Sequence, residues 1–153
     1  MKSASPPENI EELLLRHGLR PTRVRRLILE LMHRRPGHYS AEEMLARFEE
    51  EGTRVSVATL YQNLNRLATG GVLSRFVDRE GICRYDSNVN PHHHLICTHC
   101  GRLADVFLAG EQLLDLLRPV ALHGVDAWEI SAGVVELQGQ CPECRRRAAA
   151  GGG

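Results

Sequence analysis

The sequence lacks the features of a membrane-spanning or exported chain. Among its 153 residues, no apolar run approaches the length of about 18 that a membrane helix requires. The N-terminal stretch MKSASPPENIEE has no apolar segment of the kind that a secretory signal carries. We therefore expect a cytoplasmic protein without a membrane partner. In that compartment a disulfide framework is not expected, and paired cysteines point to metal binding.

The chain also lacks an excess of charge of one sign, and it has almost no lysine. Nineteen basic residues balance nineteen acidic ones, and Lys2 is the single lysine. The zero net charge hides a local concentration of seven arginines in a segment where Glu30 is the single acid. Such a patch suits the binding of DNA phosphates, although the same charges could form a solvated helix face. The seven arginines are at positions 16, 20, 23, 25, 26, 34 and 35.

The spacing of apolar residues predicts four helices in the first 70 residues. One helix carries a stripe at Val24, Leu27, Ile28 and Leu31, which recur at i, i+3, i+4 and i+7. Another begins with the capping-box sequence Ser-Ala-Glu-Glu at residues 40–43. The four helices are expected at residues 7–17, around the apolar stripe at Val24 to Leu31, from residue 40 to Gly52, and from Ser56 to Ala68. The residues of the fourth helix that are expected to face the core are Val57, Leu60, Leu64 and Leu67.

The apolar period then changes to that of β-strands. Residues 72–77 and 82–85 flank the turn sequence Asp-Arg-Glu-Gly, which predicts a β-hairpin. Helices followed by a two-stranded hairpin form a winged helix-turn-helix, here with one extra helix in front. A winged-helix domain is therefore expected over residues 1–86, followed by a hinge at residues 87–91.

A second, smaller unit is predicted after the hinge. Strands are expected at residues 94–97, 103–107, 127–131 and 134–138, with a short helix at residues 111–117. Roughly 55 residues bury too small a core to be stable alone, so a metal ion or a dimer interface must contribute. The predicted fold class is α+β, with a small α/β domain over residues 92–147 and a disordered tail over residues 148–153.

Four of the five cysteines form two short hooks that predict a zinc site. Two residues separate Cys97 from Cys100, and two separate Cys141 from Cys144. Thiolates at this spacing can face one ion, and two hooks complete a tetrahedral Zn²⁺ site with no position left open for chemistry. A dithiol redox pair is the alternative. Cys83 lies outside both hooks and is expected to be a strand residue.

Histidines crowd the segment in front of the first hook. If residues 92–97 are extended, His92 and His94 project from one face and His93 from the other. Two imidazoles side by side bind a metal weakly, so further donors are required. Asp86 and Asp105 are the obvious oxygen donors, although either could be an ordinary surface acid.

Several segments together resemble the Fur family of bacterial metal-dependent repressors. They are SVATLYQNLNRL (56–67), RYD (84–86), HHHLICTHCG (92–101) and CPEC (141–144). The resemblance extends over about residues 10–147. It implies a winged-helix DNA-binding domain joined to an α/β dimerisation domain, with a homodimer as the assembly and a structural zinc as in many branches of the family.

Within that family, the pattern resembles the peroxide regulator (PerR) branch. That branch binds its regulatory metal through three histidines and two aspartates, whereas the iron-uptake branch typically has glutamates in place of the two aspartates. The resemblance implies Mn²⁺ or Fe²⁺ as the regulatory ion, which nitrogen and oxygen donors without a thiolate also suit. It further implies that peroxide oxidises His38 or His92 in the Fe²⁺ form and releases DNA. The corresponding ligands here are His38, Asp86, His92, His94 and Asp105.

The helix that begins at Ser56 is expected to enter the major groove of double-stranded DNA. Tyr61 would face thymine methyl groups and Gln62 would bond adenine or a phosphate, although Tyr61 could instead pack in the core. Arg23 is expected to hold a phosphate, and an A·T-rich palindromic operator is implied by the family alone. The residues expected to face DNA are Arg23, Ser56, Ala58, Thr59, Tyr61 and Gln62.

Two other functions remain compatible with the sequence. The first is an iron- or manganese-uptake regulator that does not sense peroxide. The second is an enzyme, because a His/Asp metal site with an open position can activate water for hydrolysis. No nucleophile or separate acid–base partner accompanies the predicted ligands, and an enzyme would leave the winged helix unexplained, so a non-enzymatic regulator is expected.

Overall fold

The computed structural model describes residues 9–108 and 135–150, which belong to two compact units. Unit 1 comprises residues Met1–Val89 and unit 2 comprises Asn90–Gly153, so the division falls inside the expected hinge at 87–91. The helix predicted at 111–117 and the strand predicted at 127–131 lie outside the described residues. Within the described ranges, no helix is both long and apolar enough to cross a membrane.

Unit 1 begins with four helices, each capped by a polar side chain that accepts a backbone N–H at its N-terminus. The capping box predicted at residues 40–43 is confirmed in both directions, between Ser40 and Glu43. Gly18 ends the first helix with φ of +69°, as expected for a left-handed terminator. The helices are α1 (Ile10–Arg16), α2 (Arg23–Arg34), α3 (Ala41–Glu50) and α4 (Val57–Thr69).

The predicted hairpin follows α4. Strand β1 (Ser74–Val77) pairs antiparallel with β2 (Cys83–Asp86). Asp78 closes the turn between them, because its carboxylate accepts the backbone N–H groups of Glu80 and Ile82 at 2.9 and 3.0 Å. Three helices and this hairpin make the winged helix-turn-helix, with α1 in front, so the predicted α+β class and winged helix are confirmed.

The core of unit 1 lies between its helices and the start of the hairpin. Ile28 and Leu31 of α2 are fully buried, as are Leu60 and Leu64 of α4. The stripes read from the sequence are therefore correct, except at Val57, which is 57% exposed rather than inward. Val57 opens α4, and the first turn of that helix extends beyond the core that the later turns cover.

The arginine-rich segment is less open than its charge suggested. Arg25 is buried, where its Nε donates to Asn63 Oδ1 at 3.2 Å and its Nη1 donates to the Arg20 carbonyl at 2.7 Å. Arg26 and Arg34 form ion pairs with acids from other parts of unit 1. Counting local charge missed these contacts because the partner acids, Glu11 and Glu51, lie outside the segment.

Unit 2 contains a three-stranded sheet. Strand β3 (His93–Cys97) pairs antiparallel with β4 (Leu103–Val106) and parallel with β5 (Glu136–Gly139). Helix α5 (Pro142–Ala150) follows β5. The expected disorder of residues 148–153 is wrong for residues 148–150, because these are alanines, the strongest helix formers, and they continue α5.

Candidate metal centres and DNA-facing helix

The two cysteine hooks of unit 2 form one cluster of four sulfur atoms. Cys97 ends β3, Cys100 lies in the following turn, and Cys141 and Cys144 flank the start of α5. All four Sγ atoms lie within 4.8 Å of one another, and Cys100 Sγ is 3.8 Å from Cys141 Sγ. Four sulfurs at about 2.3 Å from a tetrahedral zinc ion would be about 3.8 Å apart, so the cluster fits Zn²⁺.

Backbone N–H groups prepare this cluster for a cation. The N–H of Cys141 donates to Cys97 Sγ at 3.3 Å, and with further N–H donors from Cys100 and His99 it lowers the pKa of Cys97 to about 5. The N–H of Cys144 lowers the pKa of Cys141 in the same way. Hydrogen bonding to Cys141 raises the pKa of Cys144 to about 12. Four thiolates therefore do not form together unless a metal cation balances them.

A second cluster in unit 2 contains two histidines and an aspartate. His92 Nε2 and His94 Nε2 are 3.0 Å apart, which is about the separation of two nitrogens at right angles on one ion. The register of β3 with β4 places Asp105 opposite His94, and Asp105 Oδ1 is 3.8 Å from His92 Nε2. The predicted alternation is thus correct, because His93 turns away and its Nδ1 accepts the N–H of Val135 at 3.1 Å.

The proton position on His92 also suits metal binding. Its Nδ1 lies 2.7 Å from the Asn90 carbonyl oxygen, which can only accept a hydrogen bond. Nδ1 therefore carries a proton, and in the neutral ring Nε2 offers a lone pair on the side of His94 and Asp105.

The two remaining predicted ligands meet in unit 1. His38 Nε2 is 3.4 Å from Asp86 Oδ2, and both side chains are buried. Their proximity has a backbone cause: Tyr39 and Tyr85 form an isolated antiparallel bridge with N–H to carbonyl distances of 3.0 and 2.9 Å. His38 precedes one bridge residue and Asp86 follows the other, so the bridge brings the two ligand candidates together.

The first turns of α4 present a polar, exposed surface. Tyr61 is 36% exposed, so it does not pack in the core, the alternative that the sequence left open. Its hydroxyl is already engaged, since it donates to Glu42 Oε1 at 2.6 Å. Ser56 caps α4, and its hydroxyl donates to Thr59 Oγ1 at 2.7 Å. The residues that the sequence assigned to DNA contact are all exposed: Arg23, Ser56, Ala58, Thr59, Tyr61 and Gln62.

A winged helix followed by a small sheet with a four-cysteine cluster and a His/Asp cluster agrees with one known family. The family model described as the ferric uptake regulator family matches residues 16–118 of the sequence. The chain belongs to the ferric uptake regulator (Fur) family.

The proteins and solved structures that resemble this chain include a peroxide regulator and regulators of manganese and zinc uptake. The peroxide operon regulator of Bacillus subtilis is 30% identical over 136 residues, which cover 89% of this chain and 91% of that protein. A solved zinc-bound manganese uptake regulator is 26% identical with a TM-score of 0.66, covering 88% of this chain and 99% of its own. A zinc uptake regulator solved with zinc and DNA is 22% identical with a TM-score of 0.66, covering 91% and 92%, and supports the fold alone.

Two side chains near the predicted site residues had no assigned role. Glu42 holds the hydroxyl of Tyr61, and no sequence pattern signals this contact because the two residues are 19 positions apart. Arg84 contacts the segment that carries His38. The sequence contains one signal for this contact. Arg84 precedes Asp86 by two residues on β2, so both side chains lie on the same face of the hairpin.

Proposed function

We propose that this chain is a metal-dependent, DNA-binding transcriptional repressor that acts as a cytoplasmic homodimer. The observation that carries the proposal is the convergence of His92, His94 and Asp105 in unit 2, beside a zinc-type cysteine cluster and after a winged helix. The names of similar proteins support it, since they include a peroxide operon regulator and, among the solved structures, a manganese uptake regulator.

We propose that Cys97, Cys100, Cys141 and Cys144 hold a structural zinc ion. A closed site of four sulfurs leaves no position for a substrate, so the ion stabilises unit 2 and does not perform chemistry. The small size of the described sheet supports this role, because a domain with so small a core needs an additional stabilising element such as a metal ion.

We propose that a separate Mn²⁺ or Fe²⁺ ion is held by His38, Asp86, His92, His94 and Asp105. Unit 1 supplies two of these donors and unit 2 supplies three, and the octahedral geometry that Mn²⁺ favours uses more protein donors when both sets bind one ion. Three imidazoles and two carboxylates, without a thiolate, suit Mn²⁺ or Fe²⁺ rather than softer metals.

The regulatory effect follows from sharing one ion between the ligand sets of both units. Such sharing restricts the hinge, and in a two-fold dimer it fixes the separation of the two α4 helices. That separation must match the spacing of the half-sites on DNA. When the metal site is occupied, the dimer therefore favours the shape that binds DNA. A coupling of this kind is typically about 1–3 kcal/mol. Tyr61, Gln62 and the other exposed residues of α4 would read the major groove, with Arg23 on a phosphate.

We propose peroxide sensing as the specific signal, because the aspartates at 86 and 105 match the peroxide branch. Ferrous iron, when bound, would activate hydrogen peroxide beside the ligands, so that one peroxide oxygen is added to an imidazole carbon, the other leaves as water, and the ring supplies the two electrons. His38 and His92 are the ligand histidines proposed to be oxidised. An oxidised imidazole is a poorer donor, so the ligand set no longer holds the two units in the DNA-competent state.

A gel-shift experiment tests the regulator proposal. The probe is an A·T-rich palindromic duplex, offered to the zinc-loaded protein with Mn²⁺ or with a chelator too weak to remove the structural zinc. Binding that requires Mn²⁺ is the expected result. If the protein ignores DNA of every sequence tested, with and without Mn²⁺, the regulator proposal is wrong.

Mass spectrometry tests the peroxide proposal. The Fe²⁺ form, treated with hydrogen peroxide, is expected to gain one oxygen atom on His38 or His92 and to release the duplex. His99, which is exposed and outside both clusters, is the internal control and should stay unmodified. Retained DNA binding with unmodified peptides would instead favour an uptake regulator that does not sense peroxide.

A hydrolytic enzyme is the weaker candidate. It would leave the winged helix and the exposed polar surface of α4 without a role, whereas a regulator uses both.

A further inference from the structure

His38 occupies a segment that needs external support. It lies between α2 and α3, after Pro36 and Gly37 and outside every helix and strand. The bridge between Tyr39 and Tyr85 fixes the backbone on the C-terminal side of His38. The carbonyl oxygen of His38 itself lies 3.5 Å from Nη1 of Arg84, a side chain of strand β2.

Arg84 joins three parts of unit 1 through one guanidinium group. Its Nε donates to Asp78 Oδ2 in the hairpin turn at 2.7 Å. Its Nη1 donates to both carboxylate oxygens of Glu43, at 3.1 and 3.0 Å, and lies 3.5 Å from the carbonyl oxygen of His38. The hairpin, the start of α3 and the His38 segment therefore meet at Arg84.

The partners of Arg84 are themselves held in place. Asp78 is buried and is fixed by two backbone N–H groups of the turn. Glu43 is fixed by the capping box, in which its carboxylate accepts the N–H of Ser40. The Arg84 side chain is 14% exposed, and the two carboxylates balance its positive charge. Arg84 can thus stand near a cation site without repelling the cation strongly.

We propose that Arg84 is a positioning residue for the regulatory metal. It contributes no ligand atom, but it holds the His38 segment against the strand that carries Asp86. This role rests on the proposed function, because it requires His38 and Asp86 to bind the ion. Without Arg84, the segment that carries His38 should sample positions away from Asp86. Metal binding would then have to order this segment, which costs conformational entropy and weakens the metal affinity. Residues that orient ligands in this way typically change metal affinity by about 10- to 100-fold.

Calorimetric titration of Mn²⁺ into the zinc-loaded protein tests this role with a matched pair of variants. Arg84→Gln should bind Mn²⁺ about 10- to 100-fold more weakly than the unmodified chain. Arg79→Gln removes the same charge from the same hairpin and should bind as the unmodified chain does, since Arg79 is exposed and forms no hydrogen bond or ion pair among the described residues. Arg84→Lys keeps the charge but not the planar guanidinium group, and should lose an intermediate amount of Mn²⁺ affinity, more than about twofold and up to about tenfold.

A double-variant cycle separates positioning of His38 from a general structural effect. In a His38→Ala background, whose weaker Mn²⁺ binding is measured at higher protein concentration, Arg84→Gln should cause little further loss. An equal loss in both backgrounds would overturn the role, because Arg84 would then act independently of His38. Zinc content and the tyrosine circular dichroism of each variant report whether it folds.

Three further results would overturn the positioning role of Arg84. Folded Arg84→Gln with Mn²⁺ affinity within about twofold of the unmodified chain overturns the positioning role. If Arg84→Gln does not fold, Arg84→Lys decides in its place, and unchanged affinity overturns the role. If the unmodified chain itself binds no Mn²⁺, the proposed function fails and takes this role with it. Failure of the positioning role alone would leave Mn²⁺ binding by the unmodified chain intact.

Discussion

The phenol hydroxyl of Tyr61 donates a 2.6 Å hydrogen bond to Oε1 of Glu42. The bond joins the exposed face of α4 to the first turn of α3. It is the main cause of a raised pKa at Tyr61 and of a lowered pKa at Glu42. The proton of Tyr61 is therefore committed within the protein, which leaves the aromatic ring, rather than an O–H donor, to meet a DNA base.

The first prediction concerns thymine recognition by that ring. Replacing a contacted thymine with uracil removes only the methyl group and should weaken binding by about 0.8 kcal/mol, the value of one buried methyl-sized group. Tyr61→Phe should keep this discrimination because the ring remains. Tyr61→Ala should lose it. Fluorescence anisotropy with a duplex that the protein selects from a random library, in Mn²⁺, measures all three proteins on both duplexes.

A uracil placed outside the half-sites is the control for this experiment and should change nothing. Should Tyr61→Phe bind thymine and uracil duplexes equally well, the hydroxyl would be the recognising group. The hydrogen bond from Tyr61 to Glu42 would then have to break when the protein binds DNA.

The second prediction contrasts Arg23 with Arg25. Arg23 is exposed, so Arg23→Ala should weaken DNA binding for every sequence and reduce the salt dependence, the slope of log K against log salt, by about 0.9, without loss of stability. Arg25→Ala should instead destabilise unit 1 by about 1–3 kcal/mol, because Asn63 Oδ1 and the Arg20 carbonyl lose a charged donor. Salt titrations of DNA binding and urea unfolding measure the two effects. Interchanged results for the two arginines would show that Arg25 leaves its buried position.

The third prediction is a pH dependence at Asp78. Burial raises the pKa of Asp78, but hydrogen bonds from Arg84 and from the N–H groups of Ile82 and Glu80 outweigh it, so the pKa lies below its ordinary value. A lowered carboxyl pKa stabilises the folded state above the unfolded value of about 3.9, and the stabilisation is lost as pH falls through the folded value. Asp78→Asn should therefore be less stable at neutral pH by about 1–3 kcal/mol. The difference should shrink below about pH 4.

Urea unfolding across pH, followed by tyrosine circular dichroism, checks this dependence. All three tyrosines, at positions 39, 61 and 85, lie in unit 1, and a Trp128→Phe background removes the tryptophan of unit 2, so the near-ultraviolet signal reports unit 1 even when zinc is lost at low pH. A difference between the two proteins that stays constant from neutral to acid pH would contradict the proposed ion pair.

The fourth prediction concerns zinc and the two kinds of cysteine. Cys144→Ser should purify without its zinc and with unit 2 unfolded, because structural zinc contributes on the order of 10 kcal/mol in small zinc domains. Cys83→Ser is the matched control, since Cys83 lies on β2 outside the sulfur cluster, and should keep one zinc per chain. Elemental analysis gives the zinc content, and hydrogen exchange distinguishes unit 2 from unit 1. A folded, protected unit 2 in zinc-free Cys144→Ser would show that zinc does not hold it together.

Features fixed by local chemistry were predictable from the sequence. The capping box at Ser40, the hairpin turn at Asp78 and the cysteine hooks depend on residues a few positions apart. The alternation of His92 and His94 with His93 follows from strand geometry in the same way. For each of these, short-range spacing determined the structure.

Features that depend on contacts between distant elements were not predictable. The burial of Arg25 requires Asn63 from α4, and the role of Arg84 requires the turn, α3 and the His38 segment to meet. His38 entered the candidate ligand set through family resemblance, because a lone histidine in a loop has no local signal. The bridge between Tyr39 and Tyr85, which places His38 beside Asp86, joins residues 46 positions apart.

The proposed regulation requires one ion that is held by ligands from both units and that controls DNA binding. The most direct measurement is the DNA dissociation constant with and without Mn²⁺ for the unmodified chain, Asp86→Ala, Asp105→Ala and the control His99→Ala. Mn²⁺ should tighten DNA binding by the unmodified chain and by His99→Ala about 5- to 150-fold, and should have no effect on either aspartate variant. A full Mn²⁺ effect in Asp86→Ala, together with its loss in Asp105→Ala, would contradict the account, because unit 2 alone would then hold the regulatory ion.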